Sequence, residues 1–246
     1  MRSFRLLLAI LPATVALFGQ ASESFSYQVE WRLINAGRTD LVWNRNANGY
    51  KGQLKLYSAG LVSRLFRVND IYDAQGTGEL CAQEARLQSE EGNRKRDTTV
   101  RWTGKKSYYK ELDLVKKETL LERELDTPGC VHDVLAALAK LRTLNHLQPG
   151  QSTSLPISDG KKMVMARVEA QEKEKVSTKL GPFNAIRYEA FLFNDILFKR
   201  NARLFVWISD DARRLPLQIQ VRMRIHIGTV TFTLDKMDAA MEATKK

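Results

Sequence analysis

The residues of this chain that could support catalysis are few and scattered. Asp210 and Asp211 form a carboxylate pair, and paired carboxylates can act as a general acid and base. They stand in a Ser-Asp-Asp segment typical of a turn, where adjacent side chains point in different directions. The three histidines, His132, His146 and His226, are far apart in the sequence. Neither a Gly-x-Ser-x-Gly elbow nor a phosphate-binding glycine loop occurs, so we expect no catalytic residues and no enzyme.

Two cysteines, Cys81 and Cys130, are the other reactive side chains. An even cysteine count in an oxidising compartment favours a disulfide. Closing a loop of about 50 residues would stabilise the fold by roughly 4 kcal/mol in chain-entropy terms; two buried free thiols are the alternative. The segment from Cys130 to Asp133 contains His132 and could suggest a metal corner, but the chain offers a poor ligand set. We expect a disulfide, no metal and no cofactor.

A basic strand face is one candidate binding site. Arg222, Arg224 and His226 alternate along one face of a predicted strand, and Arg213 and Arg214 precede it. Such a face could bind an anionic envelope polymer or a partner protein. A solvated outer face, whose charges discourage edge pairing, is the alternative that the pattern favours. The stacking aromatics of a nucleic-acid site are absent there, so nucleic acid is not an expected partner.

An apolar interior is the second candidate site. Met163, Met165 and Met223, with Leu135 and Leu138 of a predicted helix, could line a cavity for a lipid or another hydrophobic ligand. The same residues could instead be ordinary core. A wide, curved sheet encloses space that either side chains or a ligand must fill.

Mainly β-strands must position these residues. Across 215–227 every odd position is apolar, and from Gln218 to His226 every even position is polar or charged. A period of two predicts a strand with one buried face, about 36 Å long over eleven residues at about 3.3 Å per residue. The pattern changes phase after Gly228, which indicates a bulge, a bend or a tight turn.

Similar patterns predict ten to twelve strands in all. The segment 107–126 is rich in Lys and Glu and could be helical, but Tyr108, Tyr109 and the flanking hairpins favour strand. The segment 61–72 has a mixed period and is interpreted as strand. The segment 204–208 is apolar at every position, which predicts a central strand or one covered on both faces.

One helix is predicted, over 133–144. Asp133 can cap its first turn, and Val134, Leu135, Leu138 and Leu141 form a single apolar stripe. Pro149-Gly150 follows and ends the helical stretch. The resulting fold class is mainly β: a large curved antiparallel sheet or incomplete β-barrel with one short helix packed on it.

The N-terminus has the pattern of a secretory signal peptide over 1–21. Arg2 and Arg5 precede an apolar run from Leu6 to Phe18, and small residues at Gly19 and Ala21 suit a cleavage site. An uncleaved anchor is the alternative, but the run is short for a bilayer span. We expect a secreted, periplasmic protein that is not integral to the membrane, with residues 22–246 as a single β-rich domain.

The net charge of +11 also bears on the partner. Without the two signal arginines, 37 basic residues stand against 28 acidic ones. A secreted basic protein meets anionic lipid, lipopolysaccharide and cell-wall polymers before it meets nucleic acid. The basic residues are scattered along strand faces, which is typical of solvated surfaces.

Several segments resemble a bacterial family of secreted proteins catalogued as a domain of unknown function. They span nearly the whole mature chain: residues 25–31 with Ala36-Gly37, the helix 133–138 with Leu141-Arg142, Pro149-Gly150, and residues 180–186, 207–216 and 227–230. The resemblance implies an envelope protein with an antiparallel β fold, and it supplies no catalytic residues. Cys81 and Cys130 are not landmarks of the family, so the disulfide rests on the local argument above.

Three functional hypotheses remain open at this point. The first is a non-enzymatic periplasmic protein that binds or carries a hydrophobic ligand or lipid, with a looser similarity of plan to the half-barrels that carry lipoproteins or lipids across the periplasm. The second is an envelope scaffold that recognises an anionic polymer or a partner protein through the basic strand face. The third, and least favoured, is an enzyme acting on envelope glycans or lipids.

Overall fold

The alternating segments fold into one antiparallel sheet of fourteen strands. The structure is a computed structural model that describes residues 20–144, 147–191, 202–223 and 228–242. Its strands are β1 Gln20–Trp31, β2 Ile34–Arg45, β3 Gly49–Ser58, β4 Val68–Thr77, β5 Ala82–Glu91, β6 Arg94–Trp102, β7 Lys106–Asp113, β8 Glu118–Asp126, β9 Ser152–Ser158, β10 Met163–Thr178, β11 Gly181–Phe191, β12 Arg203–Ser209, β13 Pro216–Arg222 and β14 Thr229–Glu242. Its helices are α1 Gly60–Leu65 and α2 Val134–Arg142.

The sheet consists of two meanders joined through the chain ends. Its strand order is β8-β7-β6-β5-β4-β3-β2-β1-β14-β13-β12-β11-β10-β9, so β1 pairs with β14 while all other neighbours are consecutive in sequence. Strands β8 and β9 form its two edges, and the sheet does not close. The predicted class of a large antiparallel sheet, an incomplete barrel with a helix packed on it, is confirmed.

Helix α2 connects the two edge strands and is the predicted helix. Asp133 is its N-cap, and one carboxylate oxygen accepts hydrogen bonds from the amides of Leu135 at 2.8 Å and Ala136 at 3.2 Å. Leu135, Ala136 and Leu141 are buried. Leu135, Leu138 and Leu141 of the predicted stripe therefore pack inward, whereas Val134, the fourth member, is 46% exposed and does not.

Two clusters of buried side chains form the core, and α2 contributes to both. The first takes Leu135 and Ala136 from the N-terminal half of α2 and joins them to residues of β1–β7 and β10–β14. The second takes Leu141 from the other end and joins it to β9–β12. Phe205 of β12 belongs to the first cluster and its neighbour Val206 to the second. The prediction of a central strand, or one covered on both faces, is confirmed, since β12 lies between β11 and β13 and residues 205–208 are buried.

The charged segment 107–126 forms β7 and β8, so its interpretation as strand was right. The interpretation of 61–72 was wrong in its first half, because residues 60–65 form α1 and the strand begins only at Val68. The polypeptide must reverse between β3 and β4, and a short helix makes that reversal. None of the residues of α1 is buried, which explains the irregular period of the segment.

The strand predicted over 215–227 is shorter in the described residues, where β13 covers Pro216–Arg222 and residues 224–227 lie outside them. Gly228 adopts a φ of +89°, and its carbonyl accepts a hydrogen bond from the amide of Met223 at 3.1 Å. The phase break at Gly228 therefore lies directly before β14, which begins at Thr229. The predicted signal peptide lies outside the described residues except for Gln20 and Ala21, which begin β1.

Candidate functional site

A large open groove lies on the polar face of strands β2–β8. Its volume is about 1110 Å³. Two rows of side chains, each crossing seven strands in register, line it. The first row is Val42, Gln53, Asp73, Arg86, Thr99, Lys110 and Glu122. The second row is Asn44, Lys51, Gln75, Glu84, Arg101, Tyr108 and Glu124.

The alternation of the strands separates this groove from the core. Between the two rows runs a third, which includes Trp43, Gly52, Ala74, Ala85 and Val100, all of them buried. Because successive side chains of a strand point to opposite faces, this third row belongs to the apolar face. The groove is therefore built on the side of the sheet that faces away from α2.

Hydrogen bonds organise the floor of the groove. The side-chain amide of Gln53 donates to Asp73 at 2.7 Å, and that of Gln75 donates to Glu84 at 2.8 Å. The Arg101 guanidinium lies 5.2 Å from the centre of the Tyr108 ring, which is 38% exposed. Amide, carboxylate and aromatic groups thus face solvent at fixed positions on a rigid sheet.

Ion pairs further fix the long side chains of the groove. Arg86 forms a fork with Asp97 through hydrogen bonds of 2.9 and 2.6 Å, and Lys110 lies 2.5 Å from Glu122. The hydrogen bond from Arg86 to Asp97 raises the pKa of Arg86, which stays charged. The lining as a whole has five basic and four acidic residues, so its charge is nearly balanced.

The apolar face behind the groove is covered by packed elements. A Cβ atom on Gly52 would lie only 2.8 Å from Cδ1 of Leu135, and one on Gly160, in the β9–β10 turn, only 2.3 Å from Val100. Ser107 donates a hydrogen bond of 2.7 Å to the carbonyl of Gly160. Helix α2 and the β9–β10 turn therefore fill the space that a hydrophobic ligand would need beside these strands.

The N-terminus of α2 is anchored by buried polar groups. Tyr50 donates a short hydrogen bond to the Asp133 carboxylate, which is fully buried, and burial raises the pKa of Asp133. A ring nitrogen of His132 lies 2.7 Å from the carbonyl oxygen of Leu80, and burial lowers the pKa of this histidine. These contacts fix the start of α2. Neither group faces the groove.

A disulfide between Cys81 and Cys130 adds a covalent link at the same place. The two Cα atoms are 4.9 Å apart, and the sequence separation of the cysteines is 49. The predicted disulfide is confirmed. It ties the segment before α2 to the start of β5, next to the backbone hydrogen bond from Ala82 to Val131.

The C-terminus of α2 is held by one arginine. Arg142 forms a fork with the Glu23 carboxylate through hydrogen bonds of 2.6 and 2.8 Å, and its Nε donates to the carbonyl of Arg214 at 2.9 Å. Both charged side chains are largely shielded from solvent. Helix α2 is thus fixed at both ends, which opposes its movement away from the sheet.

The predicted apolar lining residues do not form one surface. Leu135 is buried, whereas Leu138 and Met163 are partly buried and pack against the first core cluster. Met165 is 59% exposed on β10. Met223 is half-buried directly after β13. The structure uses the first three as packing around α2 and separates them from Met165.

The predicted basic face is described only in part, because Arg224 and His226 lie outside the described residues. Arg222 is exposed, stacks at 4.7 Å on the ring of Phe205, and donates to Gln220 at 2.6 Å. Its cross-strand neighbour Arg203 also stacks on Phe205. These guanidinium groups cover an aromatic ring, as well as presenting charge to solvent.

The turn residues Asp210 and Asp211 make separate structural contacts. Asp210 pairs with Lys173 at 2.8 Å, while Asp211 accepts hydrogen bonds from Ser209 and from the backbone amide of Arg213. Hydrogen bonds and the charge of Arg213 hold the pKa of Asp211 below its usual value, against the effect of burial. Among the described residues no cluster of three potential metal ligands occurs either.

Sequence reasoning missed the groove. Its side chains occupy the polar positions of strands that the sequence predicted mostly collectively, as part of a set of ten to twelve. One signal for the groove was present in the sequence. Several of these polar positions hold amides, threonine or tyrosine, although charged residues alone would be enough to keep a strand face soluble. The curvature that turns the two rows into a groove has no local signature.

Comparison with known proteins places the fold in context. The family described as "Protein of unknown function (DUF3108)" matches residues 26–235. A beta-barrel-like protein of the domain of unknown function DUF1849 from Brucella abortus has a similar structure, with a TM-score of 0.60 and 11% sequence identity. The match covers 90% of this chain and 99% of that one, and at this identity it concerns the fold alone. No curated protein matches the sequence.

Proposed function

Because the chain belongs to the family described as "Protein of unknown function (DUF3108)", whose description assigns no activity, we propose a function from its geometry. The protein is a non-enzymatic binding protein of the cell envelope that holds an extended glycan in the groove over β2–β8. The observation that carries this proposal is the position of the groove on the polar face, while packed side chains cover the apolar face.

The size of the groove favours a polymer. Neighbouring strands lie about 4.8 Å apart, so seven strands span roughly 29 Å. The volume of about 1110 Å³ is above the roughly 300–1,000 Å³ of a site for a drug-sized molecule. An open groove of this length would contact several residues of a chain molecule at once.

The chemistry of the groove favours a glycan over a peptide. Peptides are commonly held by backbone hydrogen bonds to a sheet edge, but on a sheet face the backbone groups already pair within the ladder. The face offers side chains, including the amides of Asn44, Gln53 and Gln75 and the exposed ring of Tyr108. Amides can pair with sugar hydroxyls in both directions, and an aromatic ring offers an apolar surface for the face of a sugar.

The charge of the groove favours a neutral or zwitterionic glycan. Its five basic and four acidic residues nearly cancel, so it does not create the one-signed field that concentrates a polyanion. The basic excess of the whole chain therefore does not by itself select the ligand of this groove.

An extracytoplasmic location is part of the proposal. The disulfide between Cys81 and Cys130 is typical of oxidising compartments, and the N-terminal sequence predicts a signal peptide. Among the described residues, neither helix is long and apolar enough to span a membrane. A periplasmic protein would meet the glycan strands of the cell wall directly.

Carriage of a lipid inside the half-barrel, the first of the sequence-based hypotheses, is less well supported. Leu135 and Ala136 of α2 are buried in the first core cluster, and both ends of α2 are fixed by the contacts described above. A hydrophobic ligand would have to displace this helix. The packing therefore favours a ligand that binds outside the core.

Calorimetric titration with neutral chito-oligosaccharides, which have the N-acetylglucosamine units of cell-wall glycans without carboxylates, tests the proposal, with heparin as an anionic comparison. The double variant Arg101→Ala/Tyr108→Ala should weaken glycan binding about tenfold or more, by removing the stacking pair. The matched control is Arg167→Ala/Phe191→Ala, which removes a similar stacked pair at 5.3 Å on β10 and β11 and should leave binding unchanged.

Three results would count against glycan binding in the groove. Equal loss of affinity in both double variants would place the ligand elsewhere or indicate a general effect. Unchanged affinity in the groove variant would exclude Arg101 and Tyr108 as contacts. Binding of heparin alone, lost in Arg222→Ala, would instead support the basic strand face as the binding site.

A further inference from the structure

The strand connections at one end of β1–β8 form a continuous rim. The rim comprises the β1–β2 turn, the connection that contains α1, the β5–β6 turn and the β7–β8 turn. Backbone hydrogen bonds of 2.8–2.9 Å join successive connections: Ala59 N to Ala36 O, Gly92 N to Arg67 O, and Leu114 N to Lys95 O. We call this feature the apolar rim because of the side chains that it exposes.

Large apolar side chains are concentrated on this rim. Leu33 is 92% exposed and Leu65 is 74% exposed, and Leu61 and Val115 are exposed nearly as much as Met165. With Ile34, Phe66 and Leu114, the rim holds seven of the fifteen exposed large hydrophobic residues in the described part of the chain. Exposed apolar residues clustered in this way, rather than scattered singly, mark an interaction surface.

At the tip of the β1–β2 turn, an exposed leucine lies on strained backbone. Arg32 and Leu33 occupy the two central positions of this turn, with φ values of +51° and +66°. Asn-Gly is favoured in two-residue hairpin turns because both positions need positive φ, and other side chains are strained there. A strained, fully exposed leucine does nothing for the core, so its position points to function.

Helix α1 presents its apolar residues outward. It has no buried residue and no side-chain hydrogen bond at its N-terminus. Leu61 and Leu65 lie four positions apart and therefore on the same side of the helix. Phe66 follows directly and contacts the β5–β6 turn at Gly92, which keeps the helix against the rim.

Positive charge surrounds these apolar side chains. The rim segments 32–34, 59–67, 91–95 and 113–118 contain seven basic residues and three acidic ones. Arg64, Arg67, Arg94 and Lys117 are all exposed. Basic residues beside exposed apolar groups suit a surface that is negatively charged on the outside and apolar beneath. The basic side chains can contact the charged layer while the apolar side chains enter the apolar layer.

From the apolar side chains, the strained turn and the charge, we propose that the apolar rim docks onto the surface of an anionic phospholipid bilayer. Leu33, Leu61 and Leu65 enter the interface between headgroups and acyl chains, and the arginines and lysines contact phosphate. The proposal does not rest on glycan binding. Since the rim lies at strand ends and the groove on strand faces, docking leaves the groove open to a ligand.

Cosedimentation with lipid vesicles tests this proposal. Purified full-length protein should bind vesicles of equal parts phosphatidylglycerol and phosphatidylcholine, and should bind pure phosphatidylcholine vesicles at least about tenfold more weakly. The double variant Leu33→Ser/Leu65→Ser should weaken binding to the anionic vesicles about tenfold. Both leucines are exposed, so the melting temperature should stay unchanged.

The matched control is Met165→Ser/Leu180→Ser, which removes two exposed apolar side chains from the other half of the sheet and should bind as the parent does. All the proteins share one N-terminus, so any difference in vesicle binding comes from the substituted side chains. A second pair, Arg64→Gln/Lys117→Gln, should weaken binding and reduce its dependence on salt.

Clear outcomes would overturn membrane docking. They are the absence of binding to anionic vesicles, equal binding to neutral and anionic vesicles, or equal losses in the rim and control variants. Absence of glycan binding by the parent protein, or unchanged glycan binding in the groove variant, with vesicle binding intact, would refute the proposed function and leave the docking rim standing.

Discussion

The two helices of this protein have similar apolar residues and opposite surroundings. Helix α2 has a side-chain cap, three buried residues and an arginine that pairs across the core. Helix α1 has no buried residue and no side-chain cap, although Leu61 and Leu65 are as apolar as anything in α2. Short helices gain most of their stability from tertiary packing. Helix α2 therefore stabilises the fold through its packing, whereas α1 contributes little to the stability of the fold.

Truncating one leucine in each helix should give the largest difference between them. Leu135→Ala creates a cavity between α2 and Gly52 and should lower the free energy of unfolding by about 2–5 kcal/mol. Leu65→Ala, at an exposed site, should change it by less than about 0.5 kcal/mol. Urea unfolding followed by tryptophan fluorescence measures both. Equal losses would mean that α1 packs more tightly than its exposure indicates.

Removing the disulfide should have the next largest effect, because it acts beside α2. The variant Cys81→Ser/Cys130→Ser should lose about 2–4 kcal/mol of unfolding free energy. Wild-type protein unfolded in the presence of a reductant serves as the control and should show a similar loss. A variant as stable as the oxidised parent would show that Asp133 and His132 fix the segment without the covalent link.

The basic residues near the ends of the two helices should also differ. Arg142→Gln leaves Glu23 half-buried without its partner and should cost about 1–3 kcal/mol of unfolding free energy. Arg64→Gln, in the last turn of α1, should cost less than about 0.5 kcal/mol. Thermal unfolding of the two variants side by side makes the comparison. A loss with Arg64→Gln as large as that with Arg142→Gln would contradict the assignment of α1 to the periphery.

The smallest expected effects are pH-dependent and opposite in sign. Burial lowers the pKa of His132, beside α2, below its ordinary value of 6.5. Below pH 6.5 the imidazole of His132 therefore binds a proton in the unfolded chain but not in the folded chain, so stability is lost as the pH falls. His132→Gln should flatten this part of the stability profile, measured by urea unfolding from about one pH unit above to about one unit below the ordinary pKa of 6.5.

Asp70, on β4 soon after α1, should respond in the opposite sense. Burial, with a smaller effect from Glu91, raises its pKa from 3.8 to about 6. The folded chain holds a proton between these values that the unfolded chain releases, so stability is lost as the pH rises through this window. Asp70→Asn should remove this loss, of order 1 kcal/mol after screening by solvent. An unchanged pH profile would show that Asp70 is better solvated than its burial implies.

Local patterns predicted the elements whose two faces differ strongly in polarity. The stripe of Val134, Leu135, Leu138 and Leu141 with the cap at Asp133 predicted α2, although Val134 is exposed. The apolar run at 204–208 predicted the covered strand β12. They failed at α1, where apolar residues face solvent and thus have no period to detect. They also grouped Met163 with Met165 as a lining, although only Met163 packs against the core.

By itself the sequence determined that alternating segments would pair into an antiparallel sheet, that one amphipathic helix would cover it, and that two cysteines were available to join. These properties follow from side-chain order along the chain, which is local. Only the tertiary structure decided that the polar rows of seven strands form a groove and that distant turns align their leucines on one rim. Sheet curvature and the meeting of separate turns depend on long-range pairing, which no short segment encodes.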